Sequence, residues 1–191
     1  MKINGRVVAI AILIFAMTAA IPFGYFVYRS RTRNVITTGG IHISLTEKTE
    51  DKTTDFTDKI DVNPTDTAVK NIRVRNWGDQ PAWVRVKVER EIELADGTTQ
   101  KDDENLILVA MNGEETSSEW QYSDKDDYYY YLPPLEAHTD TEGWLRLDIG
   151  FSGEIGNLYT NSKMKVIVTA EATQQKNNPA DNSMSAVGWP R

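Results

Sequence analysis

The chain offers two imidazoles, His42 and His138, and no thiol. A zinc hydrolase needs two histidines one helical turn apart, as in H-E-x-x-H, with a third ligand and a glutamate base. His42 falls in an alternating stretch and His138 in the loop "LEAHTDTEG", so no such pair exists. Absence of cysteine removes a thiolate nucleophile, and no serine sits in a G-x-S-x-G elbow. No glycine loop is arranged to cradle a phosphate. Carboxylates are abundant, but "KTEDKTTD", "QKDDEN" and "DKDD" read as solvated connections without the D-x-D-x-D-G spacing of a calcium loop. Asp124, Asp126 and Asp127 could form at most a weak calcium site. No catalytic residue, metal site or cofactor is otherwise expected.

The stretch "DDYYYYLPPLE" is the better candidate for chemistry. Tyrosine faces stack on sugars, and tyrosine is common in binding surfaces. In a strand, however, Tyr128 and Tyr130 face one side while Tyr129 and Tyr131 face the other. One couple is expected in a core and one on the surface, with the outward couple as the candidate binding surface. Trp120 and Tyr122 on a preceding strand would pair across, with "DKDD" as the turn between. Pro133 and Pro134 are expected to end the strand, because neither donates a ladder hydrogen bond.

Elements to position these residues begin after a distinct N-terminus. Lys2 and Arg6 precede an uncharged apolar run, residues 7–28. A bilayer core needs about 20 such residues, and a basic stretch followed by an apolar one is the signature of an export signal. A small-x-small site ends at Ala20, and a second cleavage candidate follows Gly24. Cleavage is the expectation; the alternative is a retained membrane anchor flanked by Arg29, Arg31 and Arg33. Beyond residue 28 the chain carries 19 basic and 28 acidic residues, a net charge of −9. That balance argues against nucleic acid as a partner, since such binding needs clustered cations. Without disulfides, an exported domain depends on its core. A body of roughly 150 residues can bury about two thirds of its unfolded surface.

Period-two alternation then dominates. "IHISLTE" alternates cleanly after a bend or bulge at Gly39-Gly40, and a short strand is expected at residues 59–62. "AVKNIRVRNWGDQPAWVRVKVEREIEL" reads as a β-hairpin with "NWGDQP" as its turn. "LILVAM", "EWQYS", "YYYYL", "EGWLRLDIGF" and "KMKVIVTAEA" supply further strands. No helical period of useful length follows residue 28. Eight or nine short strands between turn clusters predict an all-β, antiparallel β-sandwich preceded by the hydrophobic signal or anchor helix. Residues 175–191 are polar and proline-punctuated, a tail or a loosely docked segment.

Four segments in order carry a family resemblance: "NVITTGGIHISLTE" behind the export signal, "VNPTDTAVKNIRVRNWGDQPAWVRVKVE", the "WQY…YYYYLPP" stretch, and "KMKVIVTAEATQQ". Together they resemble the TasA/camelysin family of Gram-positive exported proteins, matured by a signal peptidase of the SipW type. "GYFVYRSRTRN" is similar to the family's Ala-Tyr-Phe cleavage region, with Gly24 where alanine is common. The resemblance covers most of residues 22–189. It implies a jelly-roll-like sandwich at residues 47–174 and a place in the extracellular matrix or on the cell surface. It also implies a biofilm-type fibre whose subunits join by donating an N-terminal strand, within residues 29–46, to the next copy or to a related fibre protein. Val35, Ile36, Ile41, Ile43 and Leu45 are the matching intersubunit positions. The alternative is that this segment is the first strand of its own sandwich. Two other functions stay open: a surface module binding glycan or matrix components through outward tyrosines, and a camelysin-type metalloprotease, for which no zinc motif is present.

Overall fold

Strand formation follows from the alternation itself, because a segment with one apolar face must bury that face against another. The computed structural model describes residues 26–32, 36–37, 41–56, 60–62, 67–152, 159, 162–176, 178 and 180–190, with 26–32, 36–37 and 60–62 described by backbone course. The apolar run up to residue 25, Ala20 and Gly24 of the cleavage region, Val35 and the Gly39-Gly40 bend lie outside the described residues.

The described residues form twelve strands in two sheets. One sheet holds β1 (Phe26–Thr32), β2 (Ile36–Thr37), β4 (Ile60–Val62), β6 (Ala82–Glu93), β7 (Thr99–Lys101), β9 (Trp120–Ser123), β10 (Tyr128–Leu135) and β12 (Lys163–Gln174), in the order β4-β1-β12-β6-β10-β9. There β2 adds to β12 and β7 to β6. The other sheet runs β3 (Ile43–Lys48), β5 (Ala68–Asn76), β11 (Leu145–Phe151), β8 (Ile107–Met111). The strands beyond the expected eight or nine include the short pieces β2 and β7, too brief for alternation to announce, whereas β4 falls where a short strand was expected.

One core lies between the sheets. Ile43, Ile72, Val74, Leu145, Leu147 and Ile149 meet Val84, Val86, Tyr129, Met164, Val166 and Val168, all buried in one cluster. Each such side chain contributes roughly 1.5–3 kcal/mol on burial. The pairings are antiparallel except where the N-terminal segment runs parallel to β12.

Two local readings of the sequence are corrected. β5 and β6 do not form a hairpin: they belong to different sheets and face each other's cores across the arch at residues 77–81. The buried side chain of Asn76 builds that arch. Its amide donates to the Gln80 and Leu135 carbonyls at 2.9 and 3.1 Å, and its oxygen accepts from Gly78 N–H at 2.9 Å. Nor do the prolines end β10, which continues to Leu135. The register against β6 shifts between Tyr131–Val84 and Leu135–Ala82, a bulge that absorbs the two residues unable to donate.

Candidate functional site

Two regions carry the residues singled out by the sequence. The first is the flank of β12. β1 lies parallel to it with Val27 beside Lys163 and Thr32 beside Val168, and β2 continues with Ile36 beside Glu171. β4 covers only the start of β1, from Phe26 to Tyr28. Among the described strands, nothing pairs with the outer edge of residues 29–32. The chain then crosses to the other sheet, where Ile41 and Ile43 are buried in the core and Leu45 packs against it, half-buried. β3 pairs antiparallel with β5, Leu45 beside Val74. Of the five intersubunit candidates, the structure therefore places Ile36 on the β12 flank and Ile41, Ile43 and Leu45 in the chain's own sandwich. Val35 lies outside the described residues.

The strand beside β12 was not read from the sequence. Its first residues, Phe26 to Tyr28, continue the N-terminal apolar run, so their β-forming composition is hidden there. The usable signal is "FVYRSRT", rich in aromatic and β-branched residues.

The second region is β10. Tyr129 and Tyr131 enter the core, and Tyr131 meets Trp120 with ring centroids 5.3 Å apart. Tyr122 and Tyr129 are cross-strand partners with rings 4.9 Å apart. Tyr128 and Tyr130 face outward, as alternation requires, yet they do not form an open platform. The guanidinium of Arg85 lies 3.7 Å from the centre of the Tyr128 ring and 4.5 Å from that of Trp189. Arg85 is also paired with Glu171 at 2.7 Å and donates to the Tyr130 hydroxyl, which donates to Asp126 at 2.6 Å. Burial pushes Tyr128 and Tyr129 up to about 12, so both rings stay neutral hydroxyl bearers at physiological pH.

The C-terminal segment closes over this outer face. Trp83 is buried and its indole N–H donates to the Asn178 carbonyl at 3.2 Å. The Val187 carbonyl accepts from Thr173 and from the Asn178 amide at 3.3 and 2.8 Å. Trp189 stands edge-on to Tyr130 at 6.0 Å. Nothing in the polar composition of this segment signalled such a clamp, which rests on Asn178, Val187 and Trp189.

The candidate metal residues do not converge. Asp126 turns toward Tyr130 on the outer face, whereas Asp127 accepts from Tyr122 on the opposite face at 2.9 Å, and Asp124 is exposed. His138, also exposed, pairs with Asp79 at 3.0 Å, and His42 is exposed beside the end of β5. Among the described residues, no three carboxylates or histidines are grouped to hold a metal ion. No protein-family profile matches the chain, and no curated protein matches it.

Proposed function

We propose that the chain is an exported structural protein, similar to the TasA/camelysin family, acting as a subunit or accessory of an extracellular fibre. On this reading the sandwich is jelly-roll-like, a SipW-type peptidase cuts the signal near Gly24, and assembly proceeds by β-strand addition. The observation that carries the proposal is the position of β1 and β2: a segment parallel to β12 on the flank of a sheet, which becomes the chain end once the signal is cut near Gly24. A segment at a chain end can leave its own β12 and pair identically with that of a neighbour, since the same contacts form either way. Donation in one direction is a heterologous contact that does not close, so it generates a filament.

Because the chain has no cysteine, one pair of substitutions reads the exchange directly. Arg31→Cys with Ile167→Cys places thiols at register partners of β1 and β12. Oxidised under assembling conditions, the exported protein should give a ladder of covalent oligomers, and electron microscopy should show filaments. Monomers carrying an internal disulfide as the sole product would refute strand exchange. N-terminal sequencing of the same material identifies the cleaved bond.

A further inference from the structure

At the side of the molecule where β8 and β9 lie, the two sheets part. Both are terminal strands of their sheets among the described residues. Between them opens a cleft of about 500 Å³, a volume in the range of small-ligand sites. Its wall includes Tyr122 and Tyr129, Met111, and three polar side chains: Arg90, Asn105 and Asp127. Tyr122 is 40% exposed, so its ring presents surface to the opening. Its hydroxyl donates to Asp127 Oδ1 at 2.9 Å, a bond that raises the phenol's pKa and keeps it protonated. Among the described residues nothing donates to the second oxygen of Asp127.

Backbone conformation fixes the two loops at this place. Asn105 and Asp127 adopt φ of 55° and 61°, the left-handed region, which Asn and Asp tolerate better than most residues and which Lys52 and His138 share elsewhere. Asn105 and Asp127 both line this one cleft, from two different loops.

The ligand class follows from the lining. Arg90 donates to the Ile107 carbonyl and Asp127 accepts from Tyr122, but an apolar ligand would cover their remaining valences and the Asn105 amide while offering them nothing, which is unfavourable in a partly closed site. An anion would meet Asp127. A pyranose satisfies the set, because its C–H face stacks on an aromatic ring and its vicinal hydroxyls match planar groups that accept or donate in pairs. We propose that this cleft binds a neutral pyranose unit of a glycan chain. The site is on the opposite side of β10 from Arg85 and Trp189 and does not depend on strand exchange.

The test uses isotope-labelled full chain held in a phosphocholine detergent, titrated with cellopentaose and with chitopentaose. The expected result is chemical-shift change confined to Asn105, Tyr122, Asp127 and Met111 with at least one of them. Tyr122→Ala should weaken that binding by at least about fivefold, through lost stacking. Tyr122→Phe should retain more of it, because the ring stays, and Tyr128→Ala on the far face should leave it unchanged. Absence of shifts with both sugars at about 10 mM, a concentration that would reveal even millimolar affinity, overturns the proposal. So does binding indifferent to Tyr122→Ala. A peptide of residues 26–37 that shifts the same resonances when the sugars do not would reassign the cleft to a second copy's strand. Failure of the disulfide ladder leaves this site standing, and failure here leaves strand exchange standing.

Discussion

β12 has two neighbours, and they differ in kind. On one flank β6 runs antiparallel to it along its whole length, from Lys163 beside Glu93 to Gln174 beside Ala82. On the other flank lie β1 and β2, parallel and in two pieces. Between Thr32 and Ile36 the N-terminal segment advances one residue more than β12 does from Val168 to Glu171. The register there also sets Arg29 beside Lys165, two cationic residue types, whereas the β6 flank sets Glu93 beside Lys163. Opposite charges across a pair stabilise and like charges do the reverse. One flank is therefore continuous with the folded body; the other is short, parallel and in two pieces, the arrangement on which the proposed exchange rests.

Met164 gives the largest way to break this contrast. It is fully buried on β12, with Ile92 as its partner on the β6 side. Met164→Ala should lower stability by about 2–5 kcal/mol, measured by urea unfolding, because a close-packed core relaxes only partly around the deletion. Removing residues 1–37 should lower it less, on the order of 1–2 kcal/mol, since it removes edge pairing and leaves the core in place. If the deletion unfolds the sandwich while Met164→Ala is tolerated, the assignment of body and exchangeable flank is reversed. In the intact monomer, amides of 26–37 should exchange with solvent at least about 100-fold faster than those of β6, as local opening precedes global unfolding. Equal protection on both flanks would mean that the N-terminal segment opens only with the whole domain.

How much of this was legible in the sequence depends on which interaction sets each feature. Alternation is local, so the faces of β11 and β12 could be read: Leu145, Leu147 and Ile149 are buried, as are Met164, Val166 and Val168. The split of the four tyrosines between two faces followed from the same period. Sheet membership is not local. "NWGDQP" has turn chemistry whether its flanking strands pair or part, and only the long-range pairings, β5 with β3 and β11, β6 with β10 and β12, show that they part. The same limit hid Trp189, whose contacts with Arg85 and Tyr130 join residues far apart in the chain. At the cleft, Tyr122 was expected opposite the tyrosine strand, but the partnership of Asn105 and Asp127 comes from two loops brought together by the fold.

The outer face of β10 tests a smaller part of the contrast, because Arg85 and Glu171 tie β6 to β12 there. Both are mostly buried, and the Arg85 guanidinium lies over the rings of Tyr128 and Trp189. Arg85→Ala leaves Glu171 without its cation and Trp189 without its stacking partner. The expected loss is on the order of 2 kcal/mol, with release of the C-terminal segment seen as increased exposure of Trp189 fluorescence to quencher. Loss of stability with Trp189 still shielded would show that Trp83 and Asn178 hold the segment by themselves.

The smallest effect lies at the end of the β6 flank and has a pH signature. Glu93 accepts from Lys163 at 2.9 Å and from Lys165 at 2.6 Å, and these bonds, Lys165 first, hold its carboxyl at about 2 against an ordinary value near 4.5. A carboxyl whose folded pKa is depressed contributes stability that is fully present above its unfolded pKa. It is lost as pH falls, from about 4.5 down through about 2. The side chain is 18% exposed and at a strand end, so screening limits the contribution to below about 1 kcal/mol. Glu93→Gln should therefore be slightly less stable than the parent at pH 7, with the gap narrowing below pH 4.5 and closing near pH 2. Urea midpoints of the two proteins across that range check it, and 0.5 M salt, roughly a 4–5 Å screening length, should shrink the gap at pH 7. A gap that stays constant through the whole acid range would mean that Glu93 contributes by packing rather than by charge, and that the two flanks of β12 differ in geometry alone.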